Sequence, residues 1–256
     1  RVIKTPRDFI VGFLSQVILL PIIAYTLISI FNVESDIAIG VMILAACPGG
    51  PTSNLITNLA KGDTGLSISL TTANSLITIF TIPFVIDYAL NHFLDTDKMV
   101  EIDKSQTLIQ IFIVVIIPVS IGMLIKRAKP NFAEKMNRPV KIASGAILFL
   151  VIIGLVLKKK EDLIPYLQQA GFITLALNVS TILVGLLTSK IVRLNLAQSI
   201  TISIESGIQN GTMAIAIASG ILMNDNYAIA PAVYSLIMFF TAGVIIAYSM
   251  RKLHVN

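Results

Sequence analysis

Long apolar runs, separated by short charged segments, dominate the 256-residue chain. Eight stretches lack Asp, Glu, Lys and Arg, apart from one glutamate in the seventh: 9–33, 37–60, 64–86, 105–125, 142–157, 163–189, 194–224 and 226–250. A transmembrane helix needs about 20 predominantly apolar residues, so the pattern predicts eight spans. Strands of a membrane barrel are about half as long and alternate apolar with polar positions. The predicted fold class is therefore all-α, a polytopic membrane protein.

Composition and charge agree with this prediction. Only 13% of the residues are charged, against about 25% in soluble domains. The single cysteine excludes an internal disulfide, and two histidines far apart in sequence do not indicate a metal pair. The net charge of +5 does not point to nucleic acid, because the basic residues flank the predicted spans.

The distribution of basic residues predicts an orientation. If the chain crosses at every span from a cytoplasmic start, 14 of the 19 Lys and Arg residues fall on the cytoplasmic side. This bias predicts a multi-pass protein of the inner (plasma) membrane with both ends of the chain in the cytoplasm. The connecting loops are short for a separate domain, so residues 1–256 are expected to form one membrane domain.

Two predicted spans carry helix-breaking sequences near their centres. Residues 47–54 read Cys-Pro-Gly-Gly-Pro-Thr-Ser-Asn, and residues 205–212 read Glu-Ser-Gly-Ile-Gln-Asn-Gly-Thr. Proline removes a backbone donor and glycine costs about 1 kcal/mol in a helix interior, so both helices are expected to unwind there. A matching pair of interrupted spans is typical of inverted-repeat transporters with a binding site at mid-membrane.

The order of the spans predicts two repeats. One further span follows each interrupted span, which makes residues 105–256 a repeat of five helices and residues 1–90 the last three of another. Two helices would then precede the first residue. The chain begins with Arg rather than Met, which fits a fragment; a complete, smaller fold is the alternative.

Glu205 is the residue with the clearest chemistry. A carboxylate near the bilayer centre costs several kcal/mol unless it is paired, hydrated or bound to a cation. No Lys or Arg lies inside a predicted span, so a proton or a cation is expected to neutralise it. The polar residues near the breaks and in neighbouring spans offer neutral oxygens, which suit a hard cation: Gln16, Ser53, Asn54, Ser67, Thr71, Thr72, Gln209 and Asn210.

These motifs resemble the bile acid:sodium symporter family over essentially the whole chain. The resemblance is carried by Cys-Pro-Gly-Gly-Pro-Thr-Ser-Asn (47–54), Leu-Ala-Lys-Gly-Asp (59–63), Leu-Ser (66–67) and Glu-Ser-Gly-Ile-Gln-Asn (205–210). It implies ten helices in two inverted five-helix repeats, with the fourth and ninth helices broken and crossing. This chain would then hold eight of them, helices three to ten.

The resemblance also implies binding residues for two sodium ions. Those implied for the first ion are Ser53, Asn54, Ser67, Thr71 and Glu205. Those implied for the second are Gln16, Glu205 and Gln209, with the backbone carbonyls of Ser206 and Ile208. The implied substrate contacts are Pro51, Thr52 and Asn210.

The implied function is sodium-driven import of an organic anion, bile-acid-like or a small carboxylate, by alternating access. The expected partners are sodium, the anion and the lipid bilayer, without nucleic acid or an obligate protein partner. A proton-coupled or metalloid (arsenite-type) carrier that uses Glu205 is the alternative. No enzyme and no catalytic residue are expected, because intramembrane peptidases need His or Asp residues that no predicted span contains.

Overall fold

The computed structural model describes residues 6–94, 124–136 and 163–253, together with scattered positions between 109 and 154. The regular elements of 6–94 and 163–253 are all helical. We number the helices α1 (Pro6–Phe31), α2 (Ser35–Ala46), α3 (Pro51–Leu59), α4 (Thr64–Phe93), α5 (Leu163–Ile191), α6 (Leu196–Gly207), α7 (Gly211–Ile215) and α8 (Ile229–Leu253). The spans predicted at 105–125 and 142–157 lie largely outside the described residues.

The described helices confirm an all-helical membrane protein with several spans. Four segments are long and apolar enough to cross a bilayer: Pro6–Phe31, Thr64–Phe93, Gln168–Ile191 and Asp225–Lys252. The α2 and α3 pair adds a fifth if it is one span, and its two helices are bent by 70° at the predicted break. The described chain therefore contains the same series twice: a long helix, a broken pair of helices and another long helix.

Helix α2 forms the centre of the core. All its residues from 37 to 46 are buried, because it is surrounded by α1, α4 and α8. A helix that is apolar on every side suits this position. The long helices around it instead expose large side chains such as Ile22, Phe84 and Phe240, as expected of surfaces that face lipid.

The start of α4 fixes the position of its polar face relative to α6. The Asp63 side chain accepts a hydrogen bond from the Leu66 backbone N–H at 3.0 Å and caps the helix. The backbone N–H of Asp63 donates to the Thr201 hydroxyl at 2.8 Å, which joins α4 to α6. Ser67 and Glu205 each lie one helical turn beyond this contact, so the two side chains are brought to the same level.

Gly40 of α2 allows a close helix contact that we expect to be sensitive to one methyl group. A Cβ there would collide with the backbone carbonyl of Tyr227 and lie 3.4 Å from the Ala230 Cβ. We expect Gly40→Ala to destabilise the protein by about 1–3 kcal/mol, because backbone must shift. The matched control is Gly243→Ala on α8. A Cβ at position 243 meets nothing within 4 Å, so the stability of this variant should be unchanged or slightly higher.

The measurement is thermal unfolding with a thiol-reactive dye. Cys47 is the only cysteine of the chain and is buried, so its thiol becomes reactive when the protein unfolds. A Gly40→Ala midpoint equal to that of the parent protein would contradict the proposed contact.

Candidate cation site at the crossing of two broken helices

The breaks between α2 and α3 and between α6 and α7 lie against each other. The Asn210 backbone N–H donates to the Pro48 carbonyl at 3.0 Å, which joins the two unwound segments. A Cβ on Gly49 would lie 3.0 Å from Gln16 Nε2, 3.2 Å from Glu205 Oε2 and 3.4 Å from the Ile208 carbonyl oxygen. Glycine at 49 therefore lets one backbone approach the polar groups of the other break closely.

Glu205 lies in the last turn of α6 with none of its surface exposed. Its Oε1 accepts a hydrogen bond from the Ser67 hydroxyl at 2.5 Å, and its Oε2 accepts one from the Thr71 hydroxyl at 3.0 Å. The i, i+4 spacing of Ser67 and Thr71 places both hydroxyls on one face of α4, as the sequence predicts. Both partners are neutral, so these bonds leave the charge of an ionised Glu205 in place.

Oxygen atoms outnumber the hydrogens available to them around Glu205. Asn54 Oδ1 lies 2.7 Å from Ser67 Oγ and 3.3 Å from Thr71 Oγ1. Each hydroxyl carries one hydrogen, so it cannot donate to the amide oxygen and to the carboxylate at the same time. Ser53, also fully buried, donates its own hydrogen to the Gly50 carbonyl at 2.8 Å. A hard cation is the kind of ligand that such an oxygen surplus suits.

We call Ser53, Asn54, Ser67, Thr71 and Glu205 the first cluster. The other hydroxyls in this part of α4 do not join it, because each donates to a carbonyl of its own helix: those of Ser69, Thr72, Ser75 and Thr78. Thr72, a candidate oxygen donor in the sequence, is exposed and bonds the Ile68 carbonyl at 2.7 Å. It does not contribute to the site.

A second set of polar groups lies beside Gly49 and next to Glu205. Gln16, in a π-helical turn of α1 (Ser15–Leu19), donates from Nε2 to Gln209 Oε1 at 3.4 Å. Gln209 Nε2 in turn donates to the Ser206 carbonyl at 2.8 Å. We call Gln16, Glu205, Gln209 and the carbonyls of Ser206 and Ile208 the second cluster. Gln16 and Gln209 are both almost completely buried.

Asn74 is hydrogen-bonded to an amide of the second cluster, and the sequence prediction omits it. It is fully buried, and its Nδ2 donates to Gln16 Oε1. A signal was available, because Asn74 is three residues after Thr71 and seven after Ser67, on the same face of α4.

The three implied substrate contacts lie where the second halves of the broken helices begin. Pro51 and Thr52 open α3, and the Asn210 side chain caps α7 by accepting from the Met213 N–H at 3.1 Å. Pro51 is exposed, whereas Thr52 and Asn210 are partly buried. Helix amino termini carry partial positive charge and unbonded N–H groups, so this position favours an anion.

Two further buried residues hold the end of α6. Asn178 Nδ2 donates to the Gly207 carbonyl at 2.7 Å, and the Tyr234 hydroxyl donates to the same oxygen at 2.9 Å. Neither residue has any exposed surface. They lie on α5 and α8, and no local pattern in the sequence relates them to the break.

Comparisons with known proteins agree with the resemblance. The model of the family described as "Sodium Bile acid symporter family" matches residues 1–167, which include the first break. A sodium-dependent transporter of Bacillus subtilis, described as uncharacterized, is 24% identical over 256 residues, 98% of this chain and 76% of its own length. That alignment extends over the second break as well.

Two eukaryotic relatives are also similar. A protein of Arabidopsis thaliana, named a probable chloroplastic sodium/metabolite cotransporter, is 26% identical over 237 residues, 91% of this chain and 57% of its own length. The sodium-dependent organic anion transporter of Bos taurus is 32% identical over 217 residues, 82% of this chain and 55% of its own length. The chain thus spans little more than half of these two relatives. The family match covers most of the chain, and the protein belongs to the sodium bile acid symporter family.

Proposed function

We propose that this chain is part or all of a sodium-coupled symporter that carries an organic anion by alternating access. The observation that carries the proposal is the buried Glu205, whose two carboxylate oxygens and Asn54 Oδ1 compete for the hydrogens of two hydroxyls. Membership of a symporter family supports the same function and agrees with the expectation that the chain is not an enzyme. The relatives named above are described as sodium-dependent or sodium-coupled.

The first sodium ion would bind the first cluster. There it would neutralise Glu205 and be coordinated by oxygen atoms from three helices. Asn54 lies on α3, Ser67 and Thr71 lie on α4, and Glu205 lies on α6. The second ion would bind the second cluster and share Glu205 with the first. An ion bound to several helices at once stabilises the arrangement in which they meet, and this couples binding to conformation.

The anion would bind beside the crossing, at Pro51, Thr52 and Asn210. Pro51 is the first residue of α3, where a missing N–H costs nothing. The Thr52 N–H in the same first turn would face the anion, whereas the Ser53 N–H already donates to the Gly50 carbonyl at 3.0 Å. Ions and anion then favour the same arrangement of the broken helices, so each raises the affinity of the other. Bile-acid-like compounds and small carboxylates are the proposed substrate class.

Eight of ten helices in two inverted repeats is the proposed architecture of the chain. Residues 1–90 would be the remainder of the first repeat and residues 105–256 the second. The two series of long helix, broken pair and long helix support it. The positive-inside bias supports a plasma-membrane protein with both ends of this chain in the cytoplasm.

Proton coupling through Glu205, or metalloid transport, is less well supported. A carboxyl group that carries a proton needs no surrounding set of additional acceptor oxygens, whereas a sodium ion does. Replacing sodium by choline at fixed pH separates the two mechanisms, because only a sodium carrier then loses its activity. The functional assay is uptake of labelled carboxylates into proteoliposomes with and without a sodium gradient.

Sodium is expected to stabilise the purified protein through Glu205. A ligand present at one hundred times its dissociation constant adds about 2.7 kcal/mol to the stability of the folded state. Sodium should therefore raise the unfolding midpoint over choline at equal ionic strength, and Glu205→Gln should abolish most of this rise. The matched control is Asp8→Asn, because Asp8 is also buried but bonds Gln198 and the Phe9 N–H away from the site. A full sodium response in Glu205→Gln would refute the proposal.

The hydroxyl of Ser67 is expected to contribute to sodium affinity. Ser67→Ala removes an oxygen 2.5 Å from Glu205 and 2.7 Å from Asn54, so half-maximal stabilisation should need about tenfold more sodium. Ser69→Ala on the same helix removes a hydroxyl that bonds only the Gly65 carbonyl, and should leave the sodium titration unchanged. Equal titrations of the two variants would exclude Ser67 as a ligand.

A further inference from the structure

In the second cluster, Gln16 presents a nitrogen atom, rather than an oxygen, to the space beside Gly49. Gln16 Nε2, Glu205 Oε2 and the Ile208 carbonyl oxygen all lie within 3.4 Å of the point that a Cβ of Gly49 would occupy. The amide oxygen of Gln16 points the other way and accepts from Asn74 Nδ2. An amide N–H group cannot coordinate a cation, so this orientation of Gln16 is the wrong one for a sodium ligand.

Asn74 has the atom needed to reverse this orientation. Its Oδ1 is buried and has no hydrogen-bond partner among the described residues. A buried amide oxygen without a partner is costly, so the Oδ1 of this fully enclosed asparagine is ready to accept from a donor that reaches it. Here only the nitrogen end is used, towards Gln16.

We propose that Asn74 is a positioning residue that sets the orientation of the Gln16 amide, and that the hydrogen bond between the two reverses when the second cluster binds a cation. In the orientation seen here Asn74 donates and Gln16 accepts. When both amides turn by half a rotation, Gln16 Nε2 donates to Asn74 Oδ1, and Gln16 Oε1 faces Glu205 and Ile208. This inference rests on the proposed function.

The exchange conserves the hydrogen bonding between the two side chains. One amide–amide bond exists before and after, and Asn74 exchanges an unpartnered oxygen for an unpartnered N–H group. The bond given up is the long one, 3.4 Å, from Gln16 Nε2 to Gln209 Oε1. Gln209 Oε1 is then released from a donor and becomes available as a ligand. Asparagine suits this role because its short amide offers both a donor and an acceptor to the same neighbour.

The test compares two substitutions of Asn74 by sodium titration of the unfolding midpoint of the whole chain. Asn74→Leu has a similar shape and can neither donate nor accept, so sodium affinity should fall about tenfold, the effect of one lost hydrogen bond. Asn74→Asp, measured at alkaline pH to favour the carboxylate, only accepts and should hold Gln16 in the binding orientation. Its sodium affinity should equal or exceed that of the parent protein.

Thr78→Val is the matched control, because the Thr78 hydroxyl is buried on the same helix and bonds only carbonyls of that helix. Its half-maximal sodium concentration should stay within about twofold of the parent value. Unfolding midpoints in choline are recorded separately, since a purely structural role of Asn74 would lower these midpoints without changing the sodium concentration for half-maximal effect.

The outcomes distinguish this inference from the proposed function. Suppose that the parent protein responds to sodium. The positioning role is then refuted, and the sodium site stands, if Asn74→Leu has the same half-maximal sodium concentration as the parent protein. The same conclusion follows if Asn74→Asp weakens sodium binding as much as Asn74→Leu does. If the parent protein shows no sodium response, both proposals fail.

Discussion

The burial of one carboxyl group governs the organisation of this protein. Glu205 is enclosed at the end of a broken helix, and a charge there must be compensated within the protein because neither lipid nor a basic side chain in the spans can do so. Compensation by oxygens requires several helices to converge on one point. The helix breaks, the glycines that let the backbones approach and the polar face of α4 all follow from that requirement.

The two polar clusters that share Glu205 differ in how their oxygens are used. In the first, the carboxylate and the Asn54 amide oxygen compete for two hydroxyl hydrogens, which leaves acceptors in excess. In the second, amide N–H groups already occupy the oxygens of Gln16, Gln209 and Ser206. Under the proposed function, an ion would enter the first cluster with little rearrangement, whereas the second would have to exchange donors before it received one.

Much of the fold follows from local sequence, and the site follows only in part. Charge-free runs predict the four long described helices and the broken pair. The Pro-Gly-Gly-Pro segment locates the break in that pair, because proline and glycine act on their own backbone. Ser67 and Thr71 are predictable because their spacing alone places them on one face. Asn178 and Tyr234 are not, because their role depends on which helices pack against Gly207, and no pattern within α5 or α8 encodes that contact. The prediction of Thr72 as an oxygen donor to the site is wrong, since composition cannot tell an inward hydroxyl from one bonded to its own helix.

The close approach at Gly49 brings backbone atoms next to the two polar clusters. The atoms around Gly49 include the Ile208 carbonyl, and the Pro48 carbonyl beside it is bonded to Asn210, so main chain from both breaks surrounds the clusters. Main-chain positions depend on the packing of whole helices and change little when a single side chain is replaced. The spacing of these backbone atoms is therefore a property of the architecture that sequence divergence can preserve while the surrounding side chains change.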